Sequence, residues 1–480
     1  MKKMQTGIGL LGFNDLRINC LSFFLIFKIE IIKLIPISIL SLVLLTSYSF
    51  SQVKSDQKVF TLGQCIEIAI KNNYEIQIAN SQVVATNADI TNAFGKFLPS
   101  IDFNAGYTRQ LNAKGANNVQ VGGQIIPIAA QNPNSYNMGA YASYLLFNGF
   151  SRSANYSRAQ ETYNASYANS IYTTQKVKLD VNRQFIDVVK KSQILKTRQE
   201  NIALGKKELE RIQAQYDAGV IPIAMVYAQE AELGNKEYEL TISENDLNVS
   251  KVKLLNTIGL NTDYNAEFLE SSIKTELSDE DVKNFRAEIG SVNSSISQAF
   301  QSRQDYVSIK SEISASESNL TISKGGYYPT LAASGGWSWA NTALDQFREL
   351  GRSYVGLNLS IPIFDNFNTS YRIETSYMQL KQKEIEKYQL EQSIRTAVQT
   401  CYMNLDAAEK QLDITKRALR SAEQNFESFK ERFRVGSSNI TDYLTANNQL
   451  ITAQINRINS IYNYLQAQKE VLFAVGKLGN

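Results

Sequence analysis

Two hydrophobic periods alternate along this chain. Val181, Val188, Leu195, Ile202, Leu209 and Tyr216 recur at every seventh position, and so do Val398, Leu405, Leu412, Leu419, Phe426 and Phe433. A sustained seven-residue repeat predicts long helices packed along supercoiled neighbours. The companion seam is polar: Ser192, Gln199, Lys206 and Gln213 in the first run, Glu409, Lys416, Glu423 and Lys430 in the second. A solid bundle would make both seams apolar. A narrow stripe with polar flanks suits a thin wall wetted on both sides, and hence a hollow helical tube. An extended two-helix coiled coil is the competing arrangement.

Elsewhere the period is two. Ile101, Phe103, Ala105 and Tyr107 alternate with Ser100, Asp102, Asn104, Gly106 and Thr108. Val355, Leu357, Leu359, Ile361 and Ile363 alternate with Tyr354, Gly356, Asn358 and Ser360. Leu331, Ala333, Trp337 and Trp339 fall on one face of another strand, and a less regular run from Met138 to Phe147 predicts a fourth. Alternation over about ten residues is the pattern of a transmembrane barrel, apolar outside and polar inside. Four strands cannot enclose a pore, and lipid admits no open sheet edge. Several copies must then share one barrel, three of them supplying twelve strands in a closed ring. An ordinary soluble sheet packed on helices is the rival reading.

The chain is written twice. Phe147 and Phe364 are separated by the same 217 positions as Gly219 and Gly436, while Pro99 and Pro329 are 230 apart. A longer first hairpin loop accounts for the difference. Each half reads helix, strand, strand, long helix, tip, long helix. Thr61 and Gln64 have capping-box spacing, predicting a helix from Thr61 to about Phe94 that stops before Pro99. The long helix from Ser151 to Tyr216 would span about 100 Å. Gly219 to Pro222 break the pattern and form a turn. The return helix carries Val226, Leu233, Leu240, Leu247 and Leu254; its counterpart carries Leu444, Ile451, Ile458, Leu465 and Leu472, one position out of register with the repeat. The expected division is a targeting region at 1–51, a first repeat at 60–260, a connector at 261–297 and a second repeat at 298–476. The connector, with Leu277-Ser278-Asp279-Glu280-Asp281, reads as solvated. The loop from Leu111 to Ser135 is expected at the cell surface.

Composition narrows the function. Lys and Arg number 49 against 46 Asp and Glu, for a net charge of +3, so no dense basic face invites nucleic acid. Histidine is absent, which removes the commonest general base and metal ligand. Acid pairs such as Glu230 and Glu232, or Asp279 and Asp281, fall on wet faces with no nucleophile–base arrangement or phosphate loop. No enzymatic activity and no cofactor are expected. Of Cys20, Cys65 and Cys401, the last two read as buried thiols, with a disulfide as the alternative. An apolar run from Leu34 to Leu45 follows Lys28 and Lys33 and ends in Ser49 and Ser51 before Gln52, the pattern of a signal peptide; a membrane anchor is the alternative. No later stretch reaches the roughly 18 apolar residues of a spanning helix, so any later crossing falls to strands.

One family joins these features. Thr61-Leu62, Ala69, Asn72-Asn73, Leu98-Pro99, Phe147-Asn148-Gly149, Arg303, Asp305, Pro329 and Ile361-Pro362-Ile363-Phe364-Asp365 follow its recurrent motifs in order. So do Arg432-Phe433-Arg434-Val435-Gly436-Ser437, Thr441-Asp442-Tyr443-Leu444 and Ala446-Asn447-Asn448-Gln449-Leu450. Over about Phe60 to Gly476 the chain resembles the TolC-like outer-membrane efflux proteins. The resemblance implies an α+β membrane protein: a homotrimer with a twelve-stranded outer-membrane barrel and a twelve-helix periplasmic tunnel. It implies docking to a periplasmic adaptor and an inner-membrane pump, of the RND or ABC type, in tripartite efflux or type I secretion. It also implies a narrow periplasmic end, with Asp442 in an acidic ring and Thr445 at the second ring position. Asp217, Gly219, Pro222, Arg432, Arg434, Gly436 and Ser437 mark the tips that adaptors engage. Gly219 and Gly436 are expected to supply the turns, and Asp217, Arg432 and Arg434 to form ion pairs that close the tip. A non-channel periplasmic coiled-coil structural or adaptor protein is the alternative.

Overall fold

The computed structural model describes residues 58–112, 115, 117–128, 132–263, 266–273 and 277–478. The expected targeting region at 1–51, with Cys20, lies outside them. After β1 (Lys58–Phe60), Thr61 caps α1 (Leu62–Asn72) as its spacing predicts. The Thr61 hydroxyl accepts from the Gln64 N–H at 3.3 Å, and the Gln64 side chain accepts from the Thr61 N–H at 2.9 Å. The helix does not run unbroken to Phe94. Asn73 is extended, accepts from the N–H groups of Glu75 and Ile76, and starts α2 (Tyr74–Gly95).

Next come β2 (Ser100–Arg109), the short hairpin β3 (Asn117–Val121) and β4 (Gln124–Ile128) within the expected surface loop, and β5 (Asn134–Asn148). The first helical hairpin is α3 (Ser151–Asp217) and α4 (Ile223–Thr257). The second half follows a segment holding β6 (Ala266–Phe268), α5 (Asp279–Ile289) and α6 (Val292–Ser302). It contains α7 (Gln304–Lys324), β7 (Thr330–Asn341), the single turn α8 (Phe347–Leu350), β8 (Arg352–Ser360), α9 (Asn368–Arg434) and α10 (Ile440–Val475). Both α3 and α9 have 67 residues. Each follows two residues of positive φ, Gly149-Phe150 and Asn366-Phe367. Glycine and asparagine are the residues that enter this region at least cost.

The connector is not merely solvated. β6 pairs in parallel with β1, and Phe268 packs against Phe60 and, edge-on, Phe185. The acids at 279–281 form the first turn of α5, where the helix dipole favours them, and Ser278 and Asp281 complete a capping box. Val282, Phe285 and Ile289 turn inward onto the second-half core.

That core is built on Ile394, Val398, Tyr402 and Leu405 of α9, and the first-half core on Val181, Phe185 and Val188 of α3. The predicted heptads thus supply both centres. α4 packs along α3, whereas α10 packs along both α9 and α3. This explains the shifted stripe. Ala446, Ala453, Ser460, Ala467 and Ala474 form a buried column at heptad spacing, small enough for close helix approach. Ile458 and Leu465, two positions before Ser460 and Ala467 and so toward the far side of the helix, turn to the first-half core instead.

Cys65 and Cys401 are both free. Burial pushes the Cys65 thiol up to about 12; burial, with the Glu470 charge adding, pushes Cys401 up to about 11. The thiolate is the reacting form. Neither thiol should therefore label with maleimide in native protein at neutral pH, and both should label after denaturation, as counted by intact mass. Fast native labelling at either position would show that its helix is loosely seated.

The four longer strands form one antiparallel sheet in the order β2-β5-β7-β8. Register places Phe103 beside Ala140, Ala140 beside Trp337, and Gly335 beside Val355. One face therefore carries Ile101, Phe103, Tyr107, Met138, Tyr144, Leu331, Trp337, Trp339, Val355, Leu357 and Leu359. The other carries Asp102, Asn104, Asn137, Ser143, Ser334, Ser338 and Asn358. A bulge between Leu145 and Phe147 accounts for the irregular pattern of β5. β8 stops at Ser360, short of the predicted Ile361 and Ile363, because Pro362 has no N–H for a ladder. Among the described residues no strand pairs with the outer edges of β2 and β8, and no helix is long and apolar enough to cross a membrane.

Candidate functional site

Two helical tips, one from each half, lie together at one end of the hairpins. Gly219 (φ +73°) and Gly436 (φ +78°) end α3 and α9. In each, the glycine N–H and the next N–H bond back to the helix: Gly219 to Tyr216 and Val220 to Gln215, Gly436 to Phe433 and Ser437 to Arg432, at 2.8–3.1 Å. This is a Schellman close, which needs the left-handed residue glycine provides. Pro222, extended, stands before α4. Asn439 caps α10, accepting from the Asp442 N–H at 2.8 Å. Asp217, Gly219, Pro222, Arg432, Arg434, Gly436 and Ser437 are all exposed.

Asp442 sits in the first turn of α10, where the helix dipole favours a carboxylate. Its side chain accepts from the Ser438 hydroxyl at 3.3 Å and is otherwise open to solvent. Thr445, one turn on, is exposed too and lines a groove of about 630 Å³ with Ala418, Ala422, Asn448, Gln449 and Thr452. The repeat equivalent of Asp442 is Met225, which packs into the apolar cluster between the tips.

The family model described as outer membrane efflux protein matches residues 65–260 and 295–477. The chain belongs to that family. The outer membrane efflux protein BepC of Brucella suis is 22% identical over 342 residues, 71% of this chain and 72% of its own. The outer membrane protein TolC of Vibrio cholerae is 24% identical over 327 residues, 65% of this chain and 71% of its own. The Campylobacter jejuni CmeC outer membrane channel superposes with a TM-score of 0.72 at 15% identity, covering 87% of this chain and 85% of that one. This outer membrane efflux protein has the channel fold, and its place is the outer membrane.

The efflux protein's tips are not joined by the expected ion pairs. Asp217 accepts from Gln213 at 2.9 Å, Arg434 pairs with Glu431 at 2.8 Å, and Arg432 lies over Phe429. All three partners lie on the same helix as the residue itself. What joins the tips is apolar: Ile212 and Val226 of the first half with Ile440 of the second, flanked by Phe433 and Leu444. Arg211, paired with Glu208, sits over the Phe433 ring at 5.2 Å, and Phe433 stacks on Tyr443 at 5.1 Å. Burial, with the Glu208 charge adding, pushes Tyr443 up to about 12. Parting the tips would uncover Ile212 and Val226, at about 1.5–3 kcal/mol each. Exposed ion pairs would resist by only about 0–1 kcal/mol. Sequence reading missed the contact of Arg211 with Phe433, because it joins residues more than 200 positions apart.

Proposed function

We propose that three copies of this chain form a passive conduit through the outer membrane, fed by a periplasmic adaptor and an inner-membrane RND or ABC pump. The repeats at 60–260 and 298–476 each supply two strands and one helical hairpin, giving a twelve-stranded barrel over a twelve-helix tunnel. The sheet carries this reading: four strands, mainly apolar along one face, mainly polar along the other, and unpaired at both outer edges among the described residues. Lipid tolerates no such edges, and other copies of the chain close them. The exposed tip residues Asp217, Gly219, Pro222, Arg432, Arg434, Gly436 and Ser437 face the adaptor, and three copies of Asp442 ring the constriction. Thr445 leaves that ring single.

The test is conductance of the purified mature protein in planar bilayers, alongside heat-modifiable trimers on gels. Stepwise channels are expected. A monomer that stays dispersed in buffer with no affinity for detergent would end the reading and favour the pore-free coiled-coil alternative. Negative charge in a narrow aqueous pore favours cations. Asp442→Asn should therefore raise relative anion passage and weaken block by divalent cations. Unchanged selectivity and block would take Asp442 out of the constriction.

A further inference from the structure

Trp339 lies on the apolar face of the sheet yet is only 2% exposed, while Val355 on the same face is 92% exposed. Its cover is the β7–β8 connection. Phe347 stacks on the Trp339 ring at 4.4 Å, and the indole N–H donates to the Gln346 carbonyl at 3.3 Å. The fold-back is built in. Gln346 takes a left-handed conformation (φ +53°) to enter α8. A Cβ at Gly351 would stand 2.6 Å from the Trp337 indole nitrogen and 2.5 Å from the Phe347 carbonyl. The connection therefore lies down on the outward face, leaving Leu344, Phe347 and Leu350 exposed. A connection made for water would not present three large apolar side chains beside an apolar sheet face.

We propose that the β7–β8 connection is a lipid flap, bedded in the hydrocarbon at the outer rim of the bilayer. This rests on reading the sheet as a barrel wall. The flap lies at the end of the lipid-facing band of Trp337, Val355 and Leu357, where Ser353, level with Trp337, is the polar residue on that face. Backbone entering lipid must meet its own hydrogen bonds. Here Leu350 and Gly351 donate to the Gln346 and Phe347 carbonyls, and Thr342 donates to the Asn341 side chain; the rest of the connection, with the exposed Asp345, stays at the headgroup layer where water can meet its backbone. The exposed Arg348 and Glu349 set the depth, since their heads must reach the headgroup layer while Leu344 and Leu350 reach the acyl chains.

The experiment places a bimane probe on Leu350→Cys or, separately, on Val355→Cys, in phosphatidylcholine vesicles with or without bromine on the acyl chains. Wild-type protein put through the same labelling reports any background from the native thiols. Both probes should lose most of their emission in brominated vesicles and little to aqueous iodide. If Val355 is quenched by brominated lipid but Leu350 only by iodide, the flap stands in water and the proposal fails alone. A Leu350 probe quenched by neither is covered by protein, which also overturns it. A Val355 probe untouched by brominated lipid removes the barrel wall and the flap with it. A second readout needs no probe on the connection. With Trp337→Phe, Trp339 is the sole tryptophan and should resist brominated lipid until Phe347→Ala uncovers it; ready quenching before that change contradicts the proposed shield.

Discussion

Leu357→Arg should prevent the protein from assembling in the outer membrane, whereas Asn358→Arg, one residue along, should not. Leu357 is exposed on the apolar face of β8, and Asn358 is on the opposite face. An arginine in the lipid-facing band costs about 2–4 kcal/mol near the bilayer midplane and less toward the interfaces. Under the proposed trimer each barrel bears that cost in every subunit. The same arginine at 358 would meet the lumen, where it leaves assembly intact and alters conductance. Outer-membrane fractionation with heat-modifiable gels reads the first effect and bilayer recording reads the second. Because side chains alternate, a one-residue error in register would exchange the two outcomes. Equal assembly of both variants would refute the assignment of faces.

The parts of this molecule that the sequence displays are those where one residue's environment repeats. Ser151 to Asp217 and Asn368 to Arg434 are helical over the same length and the same offset, because apolar residues recur along both. The strand faces were legible for the same reason. Breaks were harder. Asn73 sits inside a helix-compatible run, and only its side-chain bonds to Glu75 and Ile76 reveal a cap. Yet Arg303, at the 230-residue offset that relates Pro99 to Pro329, breaks the second half in the same place. The duplication thus extends to the break, which only the structure reveals. The connector misled only in part: Asp279 and Glu280 are exposed, as read, but they open a helix whose Val282, Phe285 and Ile289 face inward. At the tips, Asp217, Arg432 and Arg434 offered opposite charges, but each has a closer partner on its own helix. The contact between Arg211 and Phe433 depends on how two hairpins meet, which no local pattern encodes.

Arg303→Met should destabilise the helical layer by about 3–5 kcal/mol, the usual result of removing one partner from a buried ion pair. Arg303 is buried and grips Asp305 with two bonds, Nε to Oδ1 at 3.0 Å and Nη2 to Oδ2 at 2.6 Å. Its remaining amino group donates to the Ala474 carbonyl at 3.3 Å, and the guanidinium lies 5.9 Å from the Tyr172 and Phe473 rings. One side chain thus ties the α6–α7 break to the end of α10 and to α3. Methionine fills the stem but leaves Asp305 half-buried with its charge uncompensated. Adding Asp305→Asn removes that charge while keeping an acceptor for the Tyr306 N–H, which Asp305 now serves at 2.9 Å. The double variant should therefore recover a large part of the loss, measured as the denaturation midpoint of the detergent-solubilised protein. Lys430→Met is the control: its pair with Glu427 is exposed, and such pairs are worth about 0–1 kcal/mol. If the double variant is no more stable than Arg303→Met, the lost contacts to Ala474, Tyr172 and Phe473 matter more than the unpaired carboxylate. If all three variants match the wild type, Arg303 is not what fastens the break to α10.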